Sequence, residues 1–229
     1  MAVHIEPGIV DGSKIALSYL TAGGVGLYAA RAVWQSVKQR GATSLLFRGV
    51  AATAAVLVFF QVFPHVRVGV SEVHLIFGST LLLLFGMAPA AFGLAAGLLI
   101  QGLVFAPVDL PQYGMNVTTL LVPLFALKLV ADRVIAPNTP YVEVRYRQAL
   151  ALSTTYQAGV VGWVAFWAFY GQGLAATTAA DVAAFGAAYL AVVLIEPLAD
   201  LAVLAAAKRL RRVTDSPLLN SRLFNPAPA

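Results

Sequence analysis

Seven stretches of continuous apolar sequence divide this 229-residue chain, at 13–35, 45–63, 72–87, 88–106, 115–135, 148–171 and 181–207. Most match the roughly 20 residues that carry an α-helix across a bilayer core. Their apolar residues run on rather than alternate, which argues against strands and against a barrel. The expected architecture is all-α: a polytopic membrane protein with a bundle of seven transmembrane helices in one domain, 1–229. The third and fourth spans form a tight pair around "GMAPA", with Pro89 at the start of the fourth.

Composition agrees. Hydrophobic residues make up 60% of the chain and charged ones 11%, against about 25% charged in a soluble domain. With no cysteine, disulfides, thiolate metal sites and cysteine catalysis are excluded. Lys and Arg then orient the bundle, because they concentrate on the cytoplasmic side of a membrane protein. With the N-terminus outside, all 15 of them except Lys14 and Arg67 fall inside. The C-terminus is then cytoplasmic. The basic segment "KRLRRV", within a tail at 208–229, reads as a contact to membrane lipid headgroups, so the net charge of +5 does not imply nucleic acid. At the other end, "MAVHIEPGIV" has neither a basic n-region nor a small-residue cleavage site. It reads as an outer arm, 1–12.

On this topology the three histidines, His4, His65 and His74, all lie on the outer side. Imidazole titrates near 6.5 and is mostly neutral at pH 7, which suits it to binding a transition metal. Spacing alone supplies no tight motif such as HExxH.

Three segments carry a family resemblance: "HIEPG", the run "VGVSEVHLIFGSTLLLLFGMAPAAFGLAAGLLIQGLVF", and "YGMNVTTLLVPL". Over residues 4–125 they resemble the CbiM/NikM family, the substrate-binding membrane subunits of energy-coupling-factor (ABC-type) transporters for cobalt and nickel. The resemblance implies uptake of Co(II) or Ni(II), supplying cobalamin synthesis in the case of cobalt, with no organic cofactor. It implies as partners a transmembrane coupling subunit, separate ATPase subunits and a small accessory membrane subunit. The metal ligands it implies are the N-terminal amine, His4 and His74, with Asn116 on a loop that closes over the site. Two features depart from the family pattern. Ser71 and His74 have two residues between them instead of one, and His4 has three residues before it instead of one.

The second departure changes the coordination chemistry. In the family arrangement an amine, one amide and an imidazole give three nitrogens in a plane, and a second histidine completes a square suited to Ni(II), Cu(II) or low-spin Co(II). An arm beginning Ala2-Val3-His4 supplies four nitrogens by itself, a set that also suits Cu(II), and leaves His74 axial or unused. If Val3 is the true start, read as Met from a GTG codon, the family pattern is restored; otherwise the amine is that of Met1 or of Ala2.

Other polar residues have plainer readings. Glu6 and Asp11 sit on a solvated arm. Glu72 either meets the dipole of a helix starting near it or orients His74, and the former is favoured. Asp109 lies in an ordered loop, "APVDLPQYG". Tyr113, Trp163, Trp167 and Tyr170 read as interfacial aromatics, and His65 as a loop residue. Glu196 and Asp200 stand four apart on one face of the last span, where a charge costs about 2.5–3.5 kcal/mol on insertion scales. They read as an interhelical pair, Asp200 meeting Lys128 or Arg133, or as a partner contact or proton-linked site. Ala22-x3-Gly26-x3-Ala30 and Gly93-x3-Gly97 are stripes for close helix packing. No Walker A motif is present, so the chain is not expected to be an enzyme. A non-transporting accessory or scaffold subunit is the alternative. A serine hydrolase is disfavoured, because Ser71 and His74 lie too close in sequence and no G-x-S-x-G elbow exists.

Overall fold

The computed structural model describes residues 5, 8–209 and 218–226. Among them are six α-helices: α1 (Ile15–Gln61), α2 (Gly78–Phe85), α3 (Met87–Val104), α4 (Tyr113–Val134), α5 (Tyr146–Gln172) and α6 (Ala176–Arg209). Four helical stretches are long and apolar enough to cross a membrane, at Gly12–Gln61, Met87–Val104, Pro107–Val134 and Ala176–Arg209. α5 has the length, but Ser153, Thr154, Thr155 and Gln157 make it more polar. The first two apolar runs form one helix broken at Gly41, where φ is 78° and ψ is 159°. Only glycine adopts that backbone without strain.

The third expected span differs most. Its first two residues, Glu72 and Val73, belong to a strand, Ser71–Val73, and only Gly78–Phe85 is helical before α3 begins. Eight residues rise about 12 Å, far short of a bilayer core. A buried strand followed by a buried helix has the same unbroken hydropathy as one long helix, so the run 72–87 gave no sign of the change. The expectation of no strands is corrected as well. β1 (Val66–Val68) pairs antiparallel with β2 (Ser71–Val73), Arg67 standing opposite Glu72.

α1 packs along α3 and α4, and α5 lies between α4 and α6. The Gly93/Gly97 stripe serves the first contact: a Cβ on Gly93 would fall 2.6 Å from the Ala52 Cβ, and one on Gly97 2.6 Å from Val56. Gly26 of the other stripe has nothing within 4 Å. Trp167 is fully buried and belongs to the core rather than to an interface.

α2 is buried at every position but Leu84, so its unpaired end groups need partners from elsewhere. At its start the Phe77 amide donates to Glu196 Oε1 at 2.9 Å, and the Thr80 hydroxyl donates to Asp200. Glu196 Oε2 also accepts from Ser153 Oγ at 3.0 Å and from Gln157 Nε2 at 2.6 Å. Asp200 therefore meets neither Lys128 nor Arg133; Lys128 pairs with Asp132 one turn away. Both carboxylates are buried, which removes them from direct contact with any partner protein. At the other end of α2, Arg48 donates to Phe85 O (2.9 Å), and also to Ser44 O and Ser36 Oγ on the two sides of the Gly41 break.

The Asn220 amide reaches Leu84 O at 2.6 Å, so residues 218–226 are docked rather than free. Arg40 donates to Leu219 O at 2.9 Å. Arg222 donates to Ile135 O and Ala136 O, both at 3.0 Å, and lies 4.8 Å from the Tyr141 ring centre. The basic segment "KRLRRV" runs into residues 210–217, which hold Arg211 and Arg212 and lie outside the described residues. Leu223 is fully buried. Leu223→Ala should cost about 2–5 kcal/mol and lower the thermal midpoint of the detergent-solubilised chain by at least about 4 °C; an unchanged midpoint would mean the segment is not packed there.

Candidate metal centre

The hairpin turn is built on Gly69, with φ of 57° and so little room that a Cβ would fall 2.2 Å from the Asp181 carbonyl oxygen of α6. Glycine lets the hairpin sit directly on α6. The opposite edge of β2 is taken by the N-terminal arm, where Ile5 and Ser71 form an antiparallel bridge. The Ile5 amide also donates to Asn116 Oδ1 at 3.0 Å. Ile5, Ser71, Glu72, Asn116, Thr119 and Tyr189 contribute to the lining of a cavity of about 10 Å³, the size of one water. Asn116 sits in the first turn of α4 rather than on a loop; what it holds is the arm.

His74 follows β2 in a four-residue connecting segment, His74–Phe77, outside every helix and strand. Its ring is buried, with Nε2 3.2 Å from Glu72 Oε2. Glu72 is therefore not at a helix start, and its dipole role is corrected: the carboxylate meets the imidazole. With Nε2–H donating to Glu72, the lone pair lies on Nδ1, which is buried without a partner among the described residues. A carboxylate behind one ring nitrogen and a free lone pair on the other is the usual arrangement of a metal-binding histidine. Burial pushes the His74 pKa below its ordinary 6.5, against an upward pull from the Glu72 hydrogen bond and charge. The ring, with its unpaired Nδ1, is thus favoured in the neutral form at pH 7.

His65 is also brought here. Its ring stacks on that of His74, centres 5.0 Å apart and planes within 7°. Imidazole lone pairs lie in the ring plane, so two stacked rings cannot both aim at one ion. His65 covers His74 instead of joining it as a ligand. Neither Glu196 nor Asp200 is bonded to His74 itself: Glu196 accepts the Phe77 amide and Asp200 the Thr80 hydroxyl of α2. His4, Met1, Val3 and Glu6 lie outside the described residues, and among the described ones no group of three His, Asp or Glu is placed to hold a metal ion. Tyr189 was not anticipated. Its hydroxyl accepts the His74 amide at 3.4 Å, and the one hint was its position on the same helical face as Glu196, seven residues on.

Residues 4–213 match the family described as the cobalt uptake substrate-specific transmembrane region, CbiM. The chain belongs to that family. No curated protein and no solved structure matches it. As a CbiM protein it is a transmembrane component of cobalt uptake, and cobalt is its substrate, not a resident cofactor. The family match also covers the hairpin, His74 and the α4 start, where the resemblance in the sequence was strongest.

The titration of His74 is directly testable, since the chain holds only three histidines. In the metal-free protein, NMR of labelled histidine should show His74 titrating below 6.5. Glu72→Gln removes the upward pull and should lower that value further; a rise would contradict the contact.

Proposed function

We propose that this protein is the substrate-capture subunit of an energy-coupling-factor importer for cobalt, with nickel as the second candidate, in a bacterial cytoplasmic membrane. What supports this most directly is the pairing of His74 with a fixed arm. Ile5, one peptide bond from His4, is clamped to Ser71 and Asn116, and Ser71 is three residues from His74. An ion entering from outside meets His74 Nδ1, the His4 imidazole and the N-terminal amine, nitrogen donors suited to Co(II) or Ni(II). Glu72 keeps the His74 ring oriented and raises its basicity, and His65 shields its face.

The charge distribution along the chain supports an outward-facing centre. With no Walker A motif in the sequence, ATP hydrolysis falls to separate ATPase subunits working through a coupling subunit. Cobalt delivered inward would then supply cobalamin synthesis. Nitrogen donors alone do not separate the two metals; the family description favours cobalt.

His74→Ala and His4→Ala should each weaken Co(II) binding by more than about 100-fold, beyond the 10–100-fold typical of losing an outer partner. Titration of the detergent-purified protein measures this. Wild-type protein that binds neither Co(II) nor Ni(II) would point instead to an accessory subunit.

A further inference from the structure

The segment His74–Phe77 lies outside helix and sheet, joined to α2 at the Phe77 carbonyl, which accepts the Leu81 amide at 2.9 Å, yet it must aim an imidazole. Metal–nitrogen bonds are directional, and a site loses its metal when a ligand swings by 10–20° or so. What holds this segment comes largely from α6. The His74 amide, at its start, donates to Tyr189 Oη at 3.4 Å. The Phe77 amide, at its end, donates to Glu196 Oε1 at 2.9 Å. Seven residues make about two helical turns, so Tyr189 and Glu196 stand on one face of α6.

Glu196 is itself fixed from α5, through Ser153 Oγ and Gln157 Nε2 one turn apart. Phe77 is the only non-glycine with positive φ among the described residues, at 53°. A side chain there resists that backbone, so something must hold it. The Glu196 bond does so at the amide, and packing on Phe59 and Phe63, with ring centres 4.9 and 5.8 Å away, does so at the ring. Phe60 stands edge-on to the His74 ring at 5.8 Å.

We infer that Tyr189 and Glu196 are positioning residues of the metal centre: by accepting the first and last amides of the His74–Phe77 segment, they set the direction in which the His74 ring meets the ion. The carboxylate of Glu196 is suited to this because it accepts from two side chains of α5 and from the segment at once. Neither residue touches the metal. Each acts through the backbone that carries the ligand.

This inference rests on His74 being a ligand, and the experiment separates the two. The full-length protein in detergent is titrated with Co(II) alone, following affinity and the visible ligand-field bands. Glu196→Ala should lower affinity at least about tenfold, the lower end for an outer partner, and should shift the bands. Glu196→Gln keeps an oxygen acceptor for the Phe77 amide and should recover most of the loss. Tyr189→Phe should shift the bands with a smaller loss, roughly threefold for one neutral acceptor. Leu204→Ala, a core truncation two turns further along the same helix, should lower stability and leave the bands in place.

Wild-type affinity and bands in Glu196→Ala overturn the inference while leaving capture by His74 intact. So does Leu204→Ala shifting the bands as far as Glu196→Ala, or Glu196→Gln failing to recover. If Glu196→Ala does not fold, Tyr189→Phe decides, and unshifted bands there overturn it. His74→Ala binding Co(II) with wild-type bands overturns both readings together.

Discussion

A helix of two turns buried on nearly all sides poses a problem that its own hydrogen bonds cannot solve. Too short to satisfy most of its backbone internally, it leaves amides bare at one end and carbonyls at the other. In α2 the bare amide end is met by carboxylates of α6 and the carbonyl end by the guanidinium of Arg48 and the amide of Asn220. Negative charge at the start and positive charge at the end also match the helix dipole. Helices α1 and α6 and the segment 218–226 are thereby tied to one small element, and the packing of the bundle around it follows.

The same element explains why buried acids are tolerated here. Glu196 meets an amide, a hydroxyl and a carboxamide rather than a cation. Hydrogen bonds to a charged acceptor contribute about 1.5–3 kcal/mol each, enough together to offset a burial cost of about 2.5–3.5 kcal/mol. At the candidate metal centre the division of labour is different. Glu72 touches the His74 ring directly, Asn116 and Ser71 hold Ile5 of the arm, and the stacked ring of His65 covers His74. Polar groups near His74 thus orient, clamp or cover, leaving Nδ1 free.

Sequence patterning conveyed the long helices well, since 88–106, 115–135, 148–171 and 181–207 each lie within a few residues of α3 to α6. It failed at 72–87 because burial makes strand, connecting segment and helix equally apolar there. His74 and Asn116 were legible through the family resemblance, but their settings were not: His74 is off the helix and Asn116 is on one. The cost of charge in a membrane singled out Glu196 and Asp200, yet the search for cations as partners misled. Their neutral partners, Ser153, Gln157 and Thr80, were visible only as polar residues inside apolar runs. Tyr189 and Arg48 act across more than thirty residues of chain, a distance at which periodicity says nothing.

The capping of α2 by distant residues also bears on how the protein is made. Phe77 and Glu196 are 119 residues apart, and a ribosome adds roughly 5–20 residues per second. The Phe77 amide therefore waits on the order of ten seconds for its acceptor, and Leu84 waits longer for Asn220. Until then the His74–Phe77 segment lacks its acceptors on α6. The setting of His74 is thus completed only near the end of synthesis, although His74 itself lies in the first third of the chain.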